Sequence, residues 1–167
     1  MRWLVALISD TGIRLAEGAG LLKSDIQLAS DIPFVRIQKH LWRNLKTASS
    51  ERLIPLCGQA LWAAKRIVAS DQTSKFAFSR YNRHSTTKAN SASAALNKWL
   101  KQYVPIGCTM HSFRHSMRDR LRSVQCPSDI ADQIGGWTSK GVGQGYGSGY
   151  PLNVLNEWLE KALVGLD

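Results

Sequence analysis

The sequence predicts an α+β protein, mainly α-helical, with a small antiparallel β-sheet or hairpin in its N-terminal third. Three observations lead there. Apolar residues recur at helical spacing along most of the chain. Between Phe34 and Leu56 they come instead in two short runs separated by a polar stretch, which is the pattern of a hairpin. At 167 residues, 44% of them hydrophobic, the chain can build one packed core and is too short for two domains of ordinary size. Residues 1–167 are therefore read as a single domain.

Taken in order, Trp3, Leu4, Leu7 and Ile8 share one helix face, and that helix should close at Asp10-Thr11-Gly12, where glycine can turn left-handed. A short second helix starts near Arg14. Phe34, Val35 and Ile37 form a strand, Lys39 to Ser50 a polar loop, and Leu53-Ile54-Pro55-Leu56 the returning strand, with room for a third strand beside them. Ala60 to Ala69 is a helix with Leu61, Ala64, Ile67 and Val68 inward. Residues 71–91 lack periodicity and read mostly as loop, with Phe76 and Phe78 anchoring one edge. Ala92 to Tyr103 is helical, Ala95, Leu96, Trp99 and Leu100 facing inward, and Pro105-Ile106-Gly107 ends it. A helix opening at His111 runs to about Val124. Phe113, Met117, Leu121 and Val124 form its buried side, and Arg114 and Arg118 lie one turn apart on a neighbouring face. Pro127-Ser128-Asp129 starts the next helix, with Ile130 and Ile134 inward, and Gly135-Gly136 stops it. Leu152 to Val164 is the last helix, striped by Leu155, Trp158, Leu159, Ala162 and Leu163.

The net charge of +10 is unevenly spread. Residues 36–122 hold 17 of the 22 Lys and Arg but 3 of the 12 acids, so that region alone carries +14. A basic block of this kind is a solvated face or a footprint for a polyanion, most simply nucleic acid, whose phosphates give sequence-independent affinity. Three scattered cysteines, Cys57, Cys108 and Cys126, form neither a disulfide framework nor a zinc pattern and fit a reducing cytoplasm. No run approaches the roughly 18 apolar residues of a membrane span. Met1 to Ile8 runs into Asp10-Thr11-Gly12 without a cleavage pattern, so it reads as a core helix and not a signal peptide.

The stretch that organises the chain chemically is His111-Ser112-Phe113-Arg114-His115 at a helix start, followed by Gly136-Trp137 and Tyr146. A His and an Arg three apart share a helix face, and the N-terminus of a helix favours an anion. Both side chains can therefore address one phosphate, with a phenol about thirty residues on. This order resembles the catalytic domain of the tyrosine recombinases, the phage-integrase family, in which a His-x-x-Arg pair, a later His or Trp and a Tyr nucleophile follow one another. Thr11-Gly12-Ile13-Arg14-Leu15-Ala16-Glu17-Gly18-Ala19-Gly20-Leu21 resembles that family's first box, Thr-Gly-x-Arg-x-x-Glu-x-x-x-Leu. Lys46-Thr47 with Arg52 and Pro55 resembles its Lys-Thr...Arg-x-x-Pro-Leu hairpin.

The resemblance implies that Arg14 and Arg114 hold the scissile phosphate, that Glu17 supports them, and that Lys46, with Lys39 a rival, reaches into the minor groove. It implies His111 as a proton acceptor or phosphate donor, Trp137 packing on the site and donating one bond, and Tyr146 as nucleophile, with Tyr150 the competitor. His115 is expected as a partly buried supporting histidine. Lys39, Arg43, Arg80, Arg83, Lys88 and Arg118 are candidates for the DNA backbone. The glycine-rich stretch Lys140 to Gly149 fits a nucleophile that must move into line, and lacks the Lys-Ser or Lys-Thr ending of a nucleotide-binding loop. No clustered carboxylate or His/Cys set points to a metal, and no cofactor is expected. The partners implied are double-stranded DNA and further copies of the chain, as a tetramer on paired sites, with the last helix docking on a neighbouring subunit. The family's separate N-terminal, arm-like DNA-binding domain is not among these residues, so a catalytic fragment or a shortened protein is expected. Two other readings stay open: a non-catalytic DNA-binding module of the same fold, and strand cleavage and religation like that of a type IB topoisomerase.

Overall fold

The computed structural model describes residues 1–47, 50–70, 73–83, 86–137 and 149–164. Its first helix, α1 (Arg2–Thr11), buries Leu4, Leu7 and Ile8 and stops at Gly12, whose φ of 65° lets its N–H bond the Ile8 carbonyl at 2.9 Å. A five-residue helix, α2 (Leu15–Ala19), follows, then a three-stranded antiparallel sheet of β1 (Ile26–Gln27), β2 (Phe34–Ile37) and β3 (Arg52–Pro55) in that spatial order. Val35 pairs with Ile54 and Ile37 with Arg52. Val35 and Ile37 are buried while Arg36 between them is exposed, the alternation of a strand covered on one side. The third strand, β1, is the one for which the sequence only left room.

The helix α3 (Gly58–Ala69) packs chiefly on α1, and Asp10 of α1 accepts the Gln59 N–H at 2.8 Å, filling a donor left open at the start of α3. Ala64 and Ile67 are buried as expected, but Ala60 and Ala63 complete the buried face in place of Leu61 and Val68, which are half-buried. Small residues win because alanines let two helix backbones approach closely. The stretch expected as loop contains a two-stranded ladder, β4 (Asn82–Arg83) with β5 (Thr86–Thr87), and α4 (Ala89–Leu100) begins three residues earlier than its apolar pattern.

At the centre lies α5 (Met110–Ser123), in contact with α1, α4, α6 (Ser128–Gly135) and α7 (Leu152–Leu163). Thr109 caps it, accepting the His111 N–H at 3.2 Å, while the Ser112 hydroxyl accepts the Thr109 N–H at 3.0 Å. Met117 and Leu121 are fully buried as expected, but the stripe also includes Arg114, 5% exposed, in place of Phe113 and Val124, which are half-buried. The last helix, α7, buries Leu155, Leu159 and Ala162 and contacts α5 and β3 of its own chain. The buried part of the stripe thus serves the chain's own core. Among the described residues no helix is long and apolar enough to cross a membrane.

Candidate active site

The turn between α1 and α2 supplies the first arginine. Arg14 precedes α2, and Glu17 three residues on reaches back to accept its backbone N–H at 2.9 Å and its Nη1 at 2.6 Å. The same Nη1 meets Ser50 Oγ at 3.1 Å, and Nη2 donates to the Gly136 carbonyl at 3.0 Å. One guanidinium therefore joins the α2 turn, the loop before β3 and the end of α6.

A second arginine, Arg52 of β3, lies wholly inside. It donates to Glu17 Oε2 (3.0 Å), to the Ile134 carbonyl (2.9 Å) and to the Ser50 carbonyl (2.6 Å). Burial pushes the Glu17 carboxyl up, and the charges and hydrogen bonds of Arg52 and Arg14 outweigh it, leaving the group below its ordinary value. Gly136 closes α6 at φ 59°, and a Cβ there would come within 2.7 Å of Arg52 Nη1, so glycine is required by both the turn and the arginine. In the sequence Arg52 stands in the hairpin pattern with no place of its own in the expected site. Its signal was that pattern's Arg.

Arg114 is the third. Its Nη1 donates to the Gly12 carbonyl at 2.7 Å, and its guanidinium lies 4.7 Å from the Trp137 ring centroid. Its Nη2 is buried and finds no hydrogen-bond partner among the described residues. Leaving such a donor unfilled costs on the order of 1–3 kcal/mol. Burial, then the charges of Arg14 and Arg52, bring this guanidinium down to about 10. Burial and neighbouring positive charge both disfavour the charged guanidinium, and a bound anion would offset both.

His111, on the exposed first turn of α5, is lowered from its ordinary value, first by burial and then by the charges of His115, Arg114, Arg14 and Lys46. The charges of both expected phosphate arginines, and of Lys46 in the loop between β2 and β3, are thus felt at His111. Lys46 itself is exposed. His115 departs from expectation. It is exposed, because residue 115 faces away from the Met117–Leu121 stripe, and it meets His111 edge-on with ring centroids 4.7 Å apart.

Of the backbone candidates, Lys39, Arg80, Arg83 and Lys88 are exposed. Arg43 is not a DNA contact. It is 4% exposed and donates Nη1 to the Glu17 carbonyl at 2.5 Å and Nη2 to the Gln38 carbonyl, so its charge is spent inside the fold under α2. Arg118 pairs with Asp132 at 3.5 Å and lies 4.9 Å from the Trp137 ring centroid. Tyr146, Lys140 and the glycines at 141, 143, 145 and 147 lie outside the described residues. The rival phenol is inside them: Tyr150 donates to Asp129 Oδ2 at 2.5 Å, and this bond raises its pKa.

Three arginines thus meet in this α+β domain, Arg14 and Arg52 joined through Glu17, and Arg114 with a buried donor unfilled among the described residues. The model of the phage integrase family matches residues 1–149, and the chain belongs to that family, whose business in general is site-specific DNA recombination. No curated protein and no solved structure matches it.

Proposed function

We propose that this chain is a tyrosine-type site-specific recombinase that cuts and rejoins DNA through a 3′-phosphotyrosyl intermediate. The observation that carries the reading is the buried Nη2 of Arg114, unfilled among the described residues and within the electrostatic reach of Arg14 and Arg52. Arg14 and Arg114 hold the non-bridging oxygens of a scissile phosphate and stabilise the charge that builds up at the five-coordinate transition state. Tyr146 attacks phosphorus, its proton passes to His111, and the bond from phosphorus to the 5′ oxygen breaks as Lys46 supplies that oxygen with a proton. The lowered pKa favours the unprotonated imidazole, the form an acceptor needs. The ester is exchanged and not hydrolysed, so the reverse step rejoins strands. Glu17 and Arg52 fix Arg14 in place. Four copies on two paired DNA sites form the working assembly, and the substrate is double-stranded DNA met through Lys39, Arg80, Arg83 and Lys88.

The test is a duplex nicked near the cleavage site, so that the released fragment diffuses away, chosen from a randomised pool by adduct formation with the wild-type chain. A covalent protein–DNA band that forms in chelator and vanishes in Tyr146→Phe supports the reading. A band lost in Tyr150→Phe instead moves the nucleophile. Salt-sensitive binding without any adduct supports the DNA-binding module.

A further inference from the structure

The candidate site leaves one group of side chains without an assignment. Trp137 follows α6 directly, and its backbone N–H bonds the Asp132 carbonyl at 3.0 Å. Its ring is seated so closely on the end of α6 that a Cβ on Gly135 would fall 2.1 Å from it. Over this ring lie two guanidiniums one helical turn apart on α5, Arg114 at 4.7 Å and Arg118 at 4.9 Å from the centroid. Asp132, 6% exposed, holds Arg118 through its carboxylate and Trp137 through its carbonyl. One residue of α6 thus fixes both the ring and the outer arginine.

This geometry bears on what Arg118 can do. An arginine that serves the DNA backbone gains affinity by releasing counterions from a phosphate. The charge of Arg118 is already matched by a buried carboxylate 3.5 Å away, and its planar group is engaged with an indole. It has little left to offer a phosphate. Its neighbour one turn back has the opposite need: Arg114 is anchored at Nη1 by Gly12, while its buried Nη2 has no hydrogen bond among the described residues to hold it in place. A flat ring under the guanidinium supplies that restraint, since stacking fixes a planar cation in orientation as well as in place.

We propose that Arg118 and Asp132 are positioning residues that hold Trp137 beneath Arg114, and that Trp137 acts through its ring face and not through its indole N–H. The inference rests on the phosphodiester reading above and adds a role for residues outside the pocket.

The test uses the selected nicked duplex with two readouts: single-turnover adduct formation at saturating DNA, and DNA affinity as a function of salt. Arg118→Ala should slow adduct formation by roughly 3-fold to 30-fold, the range of a desolvated cation–π contact. Its affinity and salt slope should stay at wild-type values. Asp132→Asn should do the same, with circular dichroism showing that it folds, and combining it with Arg118→Ala should add little further loss. Trp137→Phe keeps a ring face without the N–H, whereas Trp137→Gln keeps a donor without the ring, so Phe should be the faster of the two.

The proposal is overturned if Arg118→Ala reacts at the wild-type rate. It is overturned too if that variant lowers the salt slope by about one, the mark of a lost phosphate contact, or if Gln outperforms Phe at 137. Failure of the underlying reading looks different: the wild-type chain then forms no adduct with any duplex in the pool, and the inference falls with it.

Discussion

Glu17 shows how a single carboxylate can matter more than its neighbours in the sequence suggest. It is 3% exposed and receives Arg14 at 2.6 Å and Arg52 at 3.0 Å. Replacing it with Gln leaves two arginines, one of them fully buried, without their countercharge, and should destabilise the fold by about 3–5 kcal/mol at pH 7 in urea titrations. Because the Glu17 carboxyl is lowered in the folded state, its contribution is present above its unfolded pKa and is lost as pH falls through the folded value. The gap between wild type and Glu17→Gln should therefore close on acidification below about pH 4.3. His111 makes the complementary prediction for rate. Its pKa is lowered, so the acid limb of the second-order cleavage rate should lie below about pH 6.5 and be absent in His111→Gln. At this scale the sequence disclosed Arg14, Glu17, His111 and Arg114 because each sits in a short motif with its own spacing. Arg43 was opaque for the converse reason, and Arg52, although it stands in a motif, gave no sign of being buried. A guanidinium reads the same in sequence whether it meets DNA or a carbonyl inside the protein, and what decides is a long-range contact such as Arg52 with Ile134, 82 residues away.

Among the elements, α5 carries both the packing stripe and the pocket. Its cap is a local device, and Thr109→Ala should cost about 1 kcal/mol of stability and loosen the His111 turn first, as amide exchange at residues 111–113 would report. The helix was legible from its 3.6-residue period. Its exact face was not, because a buried Arg114 breaks the apolar pattern by which a face is recognised. In the same way α3 presented its alanines to α1 while its larger residues drew attention to the wrong side. The α6 helix reaches further along the chain than its length suggests. Gln133 accepts the Tyr150 N–H at 2.8 Å and donates to the Tyr150 carbonyl at 2.9 Å, and Asp129 takes the phenol. A hydroxyl committed to a carboxylate, with its pKa raised, is a poor nucleophile. Tyr150→Phe should accordingly retain the covalent adduct that Tyr146→Phe abolishes.

For the molecule as a whole, fold class followed from periodicity and length, and the basic centre from counting charges. The division of that charge between surface and interior came from the fold. Arg80→Ala and Lys88→Ala, both exposed, should each reduce the salt slope of DNA binding by up to about one unit. Arg43→Ala should leave that slope unchanged and lower the melting temperature instead, since its guanidinium is bonded inward. Arg43 thus serves stability and Arg80 affinity, while Arg14 and Arg114 serve both.

The hydrogen bonds that shape the pocket join distant parts of the chain: Arg14 to Gly136 across 122 residues and Arg114 to Gly12 across 102. Loops of that length close late, after the local helices and the α1–α3 contact have formed. The site should therefore form after those local contacts, and on a ribosome its Arg14–Gly136 bond cannot exist until residue 136 has emerged. Mutations at these two bonds should accelerate unfolding and leave the folding rate nearly untouched. A newly made chain would acquire its arginine-lined grip on DNA only after its early helices are in place.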